Sequence, residues 1–248
     1  MQDDKENVDL GRDVTMKGKM FSFITKTWNP IAMKCLHECY NGGCWAEALK
    51  KGKLKDTPKY RDLSHPKLIE KELQRCFSPK DYVFVEDMGD LFGEWVPAKW
   101  IYKVLAVLWR FPSSRFLLLT KNPWRMKDFQ KFLPPNVMCG ATIETTRSMI
   151  KFSKAPATQQ RYRAMKDLQH PHKMICIEPI VDFDPVKMLA WLTEIVNLEL
   201  VVIGYNNYRS SCHLPEPSLA KTMKLIKELK DLGINVQTKT LREKNGEA

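Results

Sequence analysis

Short apolar segments alternate with helical patterns along most of this chain, and that alternation limits the folds the sequence can adopt. Apolar runs with polar ends predict strands at residues 20–25, 82–85, 115–119, 137–143, 173–177 and 198–204, with 234–237 as a candidate seventh. Amphipathic stretches predict helices at residues 45–51, 68–76, 97–108, 124–132, 158–168, 186–196 and 218–232. Strands joined through helices form right-handed crossovers and a parallel sheet. We therefore predict an α/β fold, a full or partial (β/α) barrel with six to seven parallel strands.

The composition shows no break that would divide the chain into two domains. Its 248 residues suffice for a sizeable core, and 44% hydrophobic with 28% charged residues exclude wholesale disorder. Residues 1–19 contain few apolar positions and predict a flexible N-terminal arm, and residues 241–248 predict a polar tail. We expect one barrel domain over residues 20–240.

Cysteine usage indicates a reducing compartment. The chain has seven cysteines, an odd number, and its first 19 residues are polar without the pattern of a signal peptide. No apolar run approaches the roughly 18 residues that a membrane span requires. We expect a cytoplasmic protein with no membrane segment. Cys139 and Cys176 lie in predicted strands and are expected in the core, whereas Cys212 and His213 lie in a loop.

The charge balance favours a polyanionic partner. Forty Lys and Arg against 29 Asp and Glu give a net charge of +11. Two basic sets interleave with Tyr60 and Tyr162: Lys50, Lys51, Lys53, Lys55, Lys59 and Arg61, and Arg163 and Lys166 with Arg161. Basic residues with interleaved aromatics are typical of single-stranded nucleic-acid binding, and a solvated helix face is the alternative. The sequence thus allows a nucleic-acid substrate without requiring one.

Three cysteines, Cys35, Cys39 and Cys44, lie within ten residues. Three thiols cannot all pair with one another as disulfides, and soft sulfur ligands suit zinc or an iron–sulfur cluster. Gly42 and Gly43 permit positive φ, so that the loop can turn tightly around the sulfurs. Three interpretations remain at this point: a cluster with one open coordination position, a closed Cys3His zinc site that uses His37, and reduced, buried thiols.

Polar residues recur at the ends of the predicted strands. In parallel α/β barrels the active site lies at the carboxyl ends of the strands. The polar residues at these ends are Glu86, Asp87, Asp90, Thr120, Lys121, Glu144, Glu178, Asn206 and Asn207. The cysteine loop follows the first predicted strand at the same edge. The sequence therefore predicts one cavity that these groups and the cysteines line together.

Several short blocks carry a family resemblance. In chain order they are Trp28-Asn29-Pro30, Cys44-Trp45-Ala46-Glu47, Asp90-Leu91-Phe92-Gly93, residues 117–123, residues 140–144 and Ile177-Glu178-Pro179. With the cysteine loop on the first strand–helix connection, the chain resembles the radical S-adenosylmethionine (SAM) superfamily, and within it a phage and archaeal branch of uncharacterised proteins. The spacing here is Cys-x3-Cys-x4-Cys, longer than the common Cys-x3-Cys-x2-Cys, and residues 86–90 replace the usual Gly-Gly-Glu run.

The resemblance implies a [4Fe-4S] cluster held by Cys35, Cys39 and Cys44, with SAM on the remaining iron. A one-electron reductant would then drive cleavage of SAM to methionine and a 5′-deoxyadenosyl radical, which abstracts hydrogen from a substrate. Nucleic acid is the first candidate for that substrate, and a peptide or a small metabolite is the alternative. In that scheme Cys212 could serve as a hydrogen-atom donor. The alternative function is a zinc-stabilised nucleic-acid-binding protein without radical chemistry.

The resemblance also implies roles for residues at the strand ends. Glu86, Asp87 or Asp90 would face the ammonium group of SAM, since a carboxylate suits that task. Glu144 would bind the ribose hydroxyls, and Tyr40 would pack near the cluster or the adenine. The predicted cofactor-binding set is completed by Thr120, Lys121 and Glu178.

Overall fold

Seven strands form one parallel sheet in this computed structural model, which describes residues 20–207 and 212–242. These seven are β1 (Lys26–Trp28), β4 (Tyr82–Val85), β5 (Arg115–Thr120), β6 (Val137–Thr142), β7 (Lys173–Ile177), β8 (Leu198–Ile203) and β9 (Asn235–Thr238). A separate two-stranded sheet consists of β2 (Ile31–Ala32) and β3 (Lys67–Leu68). The helices are α1 (Trp45–Lys51), α2 (Ala98–Trp109), α3 (Pro123–Asp128), α4 (Thr158–Asp167), α5 (Pro185–Thr193) and α6 (Leu219–Asp231). The predicted arm at 1–19 and residues 243–248 of the predicted tail lie outside the described residues.

The sheet confirms the predicted partial barrel. Its order is β1-β4-β5-β6-β7-β8-β9 with every neighbouring pair parallel, and the edge strands β1 and β9 do not pair with each other in the described parts of the chain. The barrel is therefore open. Its register brings the carboxyl ends of adjacent strands together, for example Thr142 opposite Cys176 and Ile203 opposite Thr238. The connections that follow these strands consequently meet at one edge.

Alternation along the strands separates two apolar layers. Phe116 and Leu118 of β5 pack toward the helices, whereas Leu117 between them packs on the inner face with Met174 and Val202. Both layers are expected when each face of a parallel sheet is covered. The cysteines predicted in the core, Cys139 and Cys176, are fully buried.

The first predicted strand is wrong. Residues 20–25 form a turn, with the Ile24 amide donating to the Phe21 carbonyl at 3.2 Å, and the first strand begins at Lys26. The physical reason is packing, because Phe21 and Ile24 are both buried against the inner face of the sheet. Apolar residues three apart share a face in a turn, whereas a strand would place them on opposite faces.

The predicted helix at 68–76 is also wrong. Leu68 pairs with Ile31 in the antiparallel β2–β3 ladder, and the Ile69 amide donates to the Pro30 carbonyl at 2.8 Å. These bonds hold the start of the segment extended, and a short 3₁₀ turn at Glu70–Gln74 follows. The other predicted helices are present with shifted ends, and the seventh strand is present as β9. No helix in the described residues is long and apolar enough to cross a membrane.

Candidate functional site

A cavity of about 430 Å³ lies at the carboxyl ends of the parallel strands. Its wall includes all three clustered cysteines and six of the eight residues predicted to bind the cofactor, namely Tyr40, Asp87, Asp90, Thr120, Lys121 and Glu178. Asn206 and Asn207 line it as well. The remaining two predicted residues, Glu86 and Glu144, are enclosed behind this wall. The structure thus brings the cysteine loop and most of the predicted strand-end groups to one place.

The three thiols differ in exposure but share the cavity. Cys39 is buried, and Cys35 and Cys44 are half-buried. Burial, with the charge of Asp90 and the neighbouring thiols, raises the pKa of Cys35 well above its usual value. Burial likewise raises the pKa of Cys39, and the nearby Lys121 opposes that rise. Metal binding would therefore have to displace protons from these sulfurs.

The cysteine loop has an unusual backbone. Glu38, Tyr40, Asn41 and Gly42 all have positive φ, between 44° and 96°. The predicted positive φ is confirmed at Gly42, whereas Gly43 has a negative φ of −77°. Gly43 is needed for space instead, since a Cβ atom there would lie 2.8 Å from the Cβ of Cys212. Strained conformations of this kind persist where the surrounding structure holds them.

The surrounding structure is the segment 149–154, which follows β6. The Tyr40 amide donates to the Phe152 carbonyl at 2.5 Å, and the Lys154 amide donates to the His37 carbonyl at 2.7 Å. The Ser153 hydroxyl lies 3.6 Å from the sulfur of Cys39 and donates to the His37 carbonyl at 3.2 Å. Sequence analysis did not single out this segment. Its polar residues show no pattern that would indicate contact with a loop more than 100 residues earlier.

Asp90 anchors the loop from the other side. It accepts hydrogen bonds from the Thr120 hydroxyl at 2.7 Å and the Lys121 amide at 2.9 Å, and its Oδ2 lies 2.8 Å from Nε2 of His37. Burial opposes the ionised carboxylate, but the bonds from His37 and Thr120 lower the pKa of Asp90 nevertheless. His37 and Thr120 therefore serve to hold Asp90 as an anion next to the cysteines.

Glu144 is the centre of a buried ionic network. Its carboxylate accepts from the Tyr40 hydroxyl and from the Arg161 guanidinium, each at 2.7 Å, and from the Lys121 ammonium. Burial favours the neutral acid, yet Arg161 and Lys121 together lower the pKa of Glu144 to about 2. Both carboxylate oxygens already have protein partners. The ribose contact expected of Glu144 stays a prediction, and the network visibly holds Tyr40 and Lys121 at the cavity wall.

The two acids directly after β4 differ from one another. Glu86 has φ of 58° and accepts from the Ile31 amide at 2.6 Å, and its second oxygen has no hydrogen-bond partner among the described residues. Burial raises the pKa of Glu86 well above its usual value. Asp87 instead lines the cavity, where its Oδ1 accepts from the Asn29 amide at 2.5 Å. Burial raises the pKa of Asp87, and Asn29 opposes that rise.

The far end of the cavity carries an ion pair. Lys239, directly after β9, donates to Glu178 at 2.7 Å. Burial raises the pKa of Glu178, and Lys239 opposes that rise. Lys239 was missed by sequence analysis, although it follows the candidate seventh strand. Glu178 was predicted because it directly follows a strand, and the same criterion applied to the seventh strand would have included Lys239.

The two predicted basic sets have different fates. Arg161 and Tyr162 are buried, the former against Glu144 and the latter against Trp191 and Glu194. In the first set, Lys50 is buried and donates to the Met33 carbonyl at 3.0 Å. Four residues of the first set are exposed at the surface, namely Lys51, Lys53, Lys55 and Arg61.

The donor set at the cysteine loop consists of three soft sulfurs, which is the ligand type that an iron–sulfur cluster uses. No three His, Cys, Asp or Glu side chains in the described residues are grouped so that one metal ion could bind them. A zinc ion holds all its ligands about 2 Å from one point, whereas a cluster bonds each cysteine to a different iron. The three thiols line one cavity, so the residues present are compatible with a cluster held by three cysteines. Nε2 of His37 is directed at Asp90 instead of at a sulfur.

The fold matches those of solved enzymes. Streptococcus suis SuiB, solved with S-adenosylmethionine, has a TM-score of 0.54 and 10% identity over 89% of this chain and 52% of its own, so this chain spans about half of SuiB. A mutant of spore photoproduct lyase with dinucleoside spore photoproduct has a TM-score of 0.58 and 10% identity over 85% of this chain and 75% of its own. A second mutant of that lyase has a TM-score of 0.57 and 9% identity, over 86% of this chain and 76% of its own. At these identities the matches show the fold alone.

Sequence comparison adds the family. No curated protein matches the chain. A family model described as "Protein of unknown function (DUF5131)" matches residues 19–206. That interval covers more than half of the 248 residues. The chain therefore belongs to the DUF5131 family, and it has the fold of the radical SAM enzymes.

Proposed function

We propose that this protein is a radical SAM enzyme, with a [4Fe-4S] cluster on Cys35, Cys39 and Cys44 and SAM beside it in the cavity. The observation that carries the proposal is the convergence of three thiols from one loop with acidic and basic strand-end groups on a single cavity. When bound, the cluster and SAM supply one-electron chemistry, the reductive cleavage of SAM, which the chain's own side chains cannot perform.

The chain's residues would bind and orient the cofactor. Asp87 is the acid we assign to the ammonium group of SAM, because Glu86 is enclosed and Asp90 already accepts several hydrogen bonds. Lys121 presents a cation at the same wall, held in place by Glu144. Carboxylate and ammonium groups in a partly buried site make charge-assisted contacts that both attract and orient a zwitterionic ligand.

Apolar residues of the wall would keep water from the reacting groups. Phe84, Met88 and Leu119 line the same cavity as the cysteine loop and Glu178. Excluding water strengthens the electrostatic contacts of a site and protects reactive species from side reactions. The cavity wall thus combines charged groups that would contact the cofactor with apolar groups that would exclude water.

Nucleic acid is the substrate class that we propose. The supporting observation is the exposed run Lys51, Lys53, Lys55 and Arg61, which begins at the last residue of α1 and hence lies shortly after the cysteine loop. Such a run can neutralise backbone phosphates, and the affinity should then fall steeply as salt rises. Binding of single-stranded DNA and RNA at several salt concentrations tests this. Affinity that does not depend on salt would contradict it.

Anaerobic reconstitution tests the enzyme proposal. The purified chain should take up iron and sulfide, become brown, and form 5′-deoxyadenosine from SAM when reduced. Replacing Cys35, Cys39 or Cys44 by Ser should abolish both properties. Cys76→Ser is the matched control, because Cys76 is an exposed thiol outside the cavity wall. A colourless wild-type protein that binds one zinc ion and loses it on His37→Ala would contradict the proposal.

A further inference from the structure

The outer side of the cysteine loop carries two exposed aliphatic side chains. Leu36, next to Cys35, is 45% exposed, and Ile150 is 85% exposed. The segments that carry them are joined by backbone hydrogen bonds, from Lys154 to His37 and from Tyr40 to Phe152. We refer to Lys34, Leu36, Ile150, Lys151 and Lys154 as the loop face. Because the two segments are hydrogen-bonded together, these exposed aliphatic groups belong to one surface region, and apolar regions with polar surroundings are typical of contact sites.

The charges of the loop face are predominantly positive. Lys34 and Lys151 are exposed and have no ion-pair partner among the described residues. Lys154 pairs with Glu38 at 2.6 Å, and this acid is the one carboxylate within the loop. Arg147 lies close by in sequence and pairs with Asp182 at 2.7 Å. An apolar centre with a basic rim is complementary to an acidic protein surface.

We propose that the loop face is the docking site of an acidic one-electron carrier protein, a proposal that rests on the function proposed above. The chain needs an external electron, and the rate of electron transfer falls steeply with distance. Leu36 adjoins Cys35 in sequence, and Ser153 of the packed segment touches Cys39. A carrier seated on the loop face would therefore stand close to the cysteine sulfurs without entering the cavity.

The composition of the loop face favours a carrier protein over nucleic acid. Single-stranded nucleic acid is bound through bases stacked on exposed aromatic rings. The aromatic residues beside the loop face are Tyr40, which is buried, and Phe152, which is half-buried. Redox complexes use small interfaces in which charge sets the association rate and a few apolar contacts complete the fit. Leu36 and Ile150 suit that arrangement.

Charge reversal at the loop face tests the proposal. The variant Lys34→Glu with Lys151→Glu is compared with Lys99→Glu and Lys131→Glu, an exposed pair around α2 and α3 that gives the same change in net charge. The probe is flavodoxin, whose surface is acidic. We expect the loop-face variant to slow cluster reduction by reduced flavodoxin about tenfold at low salt, with little change in the control pair. Binding of oxidised flavodoxin to the full chain, followed by flavin fluorescence, should weaken in parallel.

Reduction by dithionite separates the two proposals. If dithionite drives 5′-deoxyadenosine formation in every variant while flavodoxin fails selectively with the loop-face variant, both proposals stand. Equal flavodoxin rates in both variants would overturn the docking site and leave the enzyme proposal intact. Loss of single-stranded DNA binding with unchanged flavodoxin rates would reassign the loop face to nucleic acid. A wild-type chain that takes up no cluster would overturn both proposals.

Ile150→Ser provides a second variant that leaves charge unchanged. Because Ile150 is 85% exposed, the substitution should not disturb folding, and thermal unfolding can verify that. It should weaken flavodoxin binding without altering the salt dependence. Unchanged binding in this variant would contradict an apolar centre for the interface.

Discussion

Nε2 of His37 lies 2.8 Å from Oδ2 of Asp90, and both side chains are buried. This contact ties the cysteine loop to the segment after β4, and it engages only Nε2 of the imidazole ring. His37 therefore helps to hold the cysteine loop in place, and its replacement tests whether it is also a metal ligand.

Replacing His37 by Ala should separate stability from metal content. The Asp90 carboxylate would lose one donor, which we expect to cost about 1–3 kcal/mol in the free energy of unfolding. The iron content after reconstitution should stay close to that of the wild type. Denaturant unfolding and iron analysis measure the two effects. A full loss of metal without loss of stability would show that His37 is a ligand.

Among substitutions in α4, loss of the Arg161–Glu144 ion pair should lower the free energy of unfolding the most. Both side chains are fully buried, so Arg161→Met would leave the carboxylate short of compensating charge, at a cost of about 3–5 kcal/mol. Arg163→Met, on the same helix but exposed, should change the free energy of unfolding by less than about 0.5 kcal/mol. Urea unfolding of the two variants provides the comparison, and equal effects would contradict the assignment.

Glu144 should make stability depend on pH in the acid range. Its pKa in the folded chain is about 2, below the ordinary value of 4.5. A carboxyl whose pKa is lowered on folding contributes stability above its unfolded value, and the contribution is lost as pH falls through the folded value. We expect a loss on the order of 3 kcal/mol between about pH 4.5 and about pH 2. Glu144→Gln should reduce that slope, whereas Asp128→Asn, at an exposed site, should retain it.

The effects of substitutions at Gly43 and Cys212 on stability should depend on each other. Gly43→Ala places a Cβ atom 2.8 Å from the Cβ of Cys212, and such overpacking typically costs about 1–3 kcal/mol. Cys212→Gly removes the obstructing atom, so the double variant should recover part of the stability lost by Gly43→Ala. A double-mutant cycle measured by thermal unfolding gives the coupling energy. Strict additivity would mean that the loop shifts to avoid the contact.

Asp87 should matter for SAM binding and Glu86 should not. Asp87→Asn removes a negative charge from the cavity wall, and we expect about tenfold weaker binding of SAM to the reconstituted protein. Glu86→Gln alters a carboxyl enclosed behind the wall and should leave that affinity nearly unchanged. Equilibrium dialysis with labelled SAM measures both. Similar losses in the two variants would count against the assigned role of Asp87.

Local pattern was sufficient for the strands that alternate regularly. The apolar runs that became β4 to β9 are short and bounded by polar residues, and their side-chain periodicity is a property of the nearby sequence. The predictions of a strand at residues 20–25 and a helix at residues 68–76 were wrong for the same reason. Phe21 and Ile24 are placed by the inner face of the sheet, and Leu68 by its pairing with Ile31, so distant residues overrode the local preference.

By itself the sequence determined the parallel α/β plan, the edge at which polar groups gather, and the presence of three sulfurs in one short loop. Only the tertiary structure decided which groups face the cavity. Glu86 and Asp87 are neighbours in the chain, yet one is enclosed and the other lines the wall. The same holds for Arg161, which sequence analysis placed in a basic patch and the structure places against Glu144. The reason is physical, because the direction of a side chain after a strand depends on the partners that meet it there, and those partners come from remote parts of the chain.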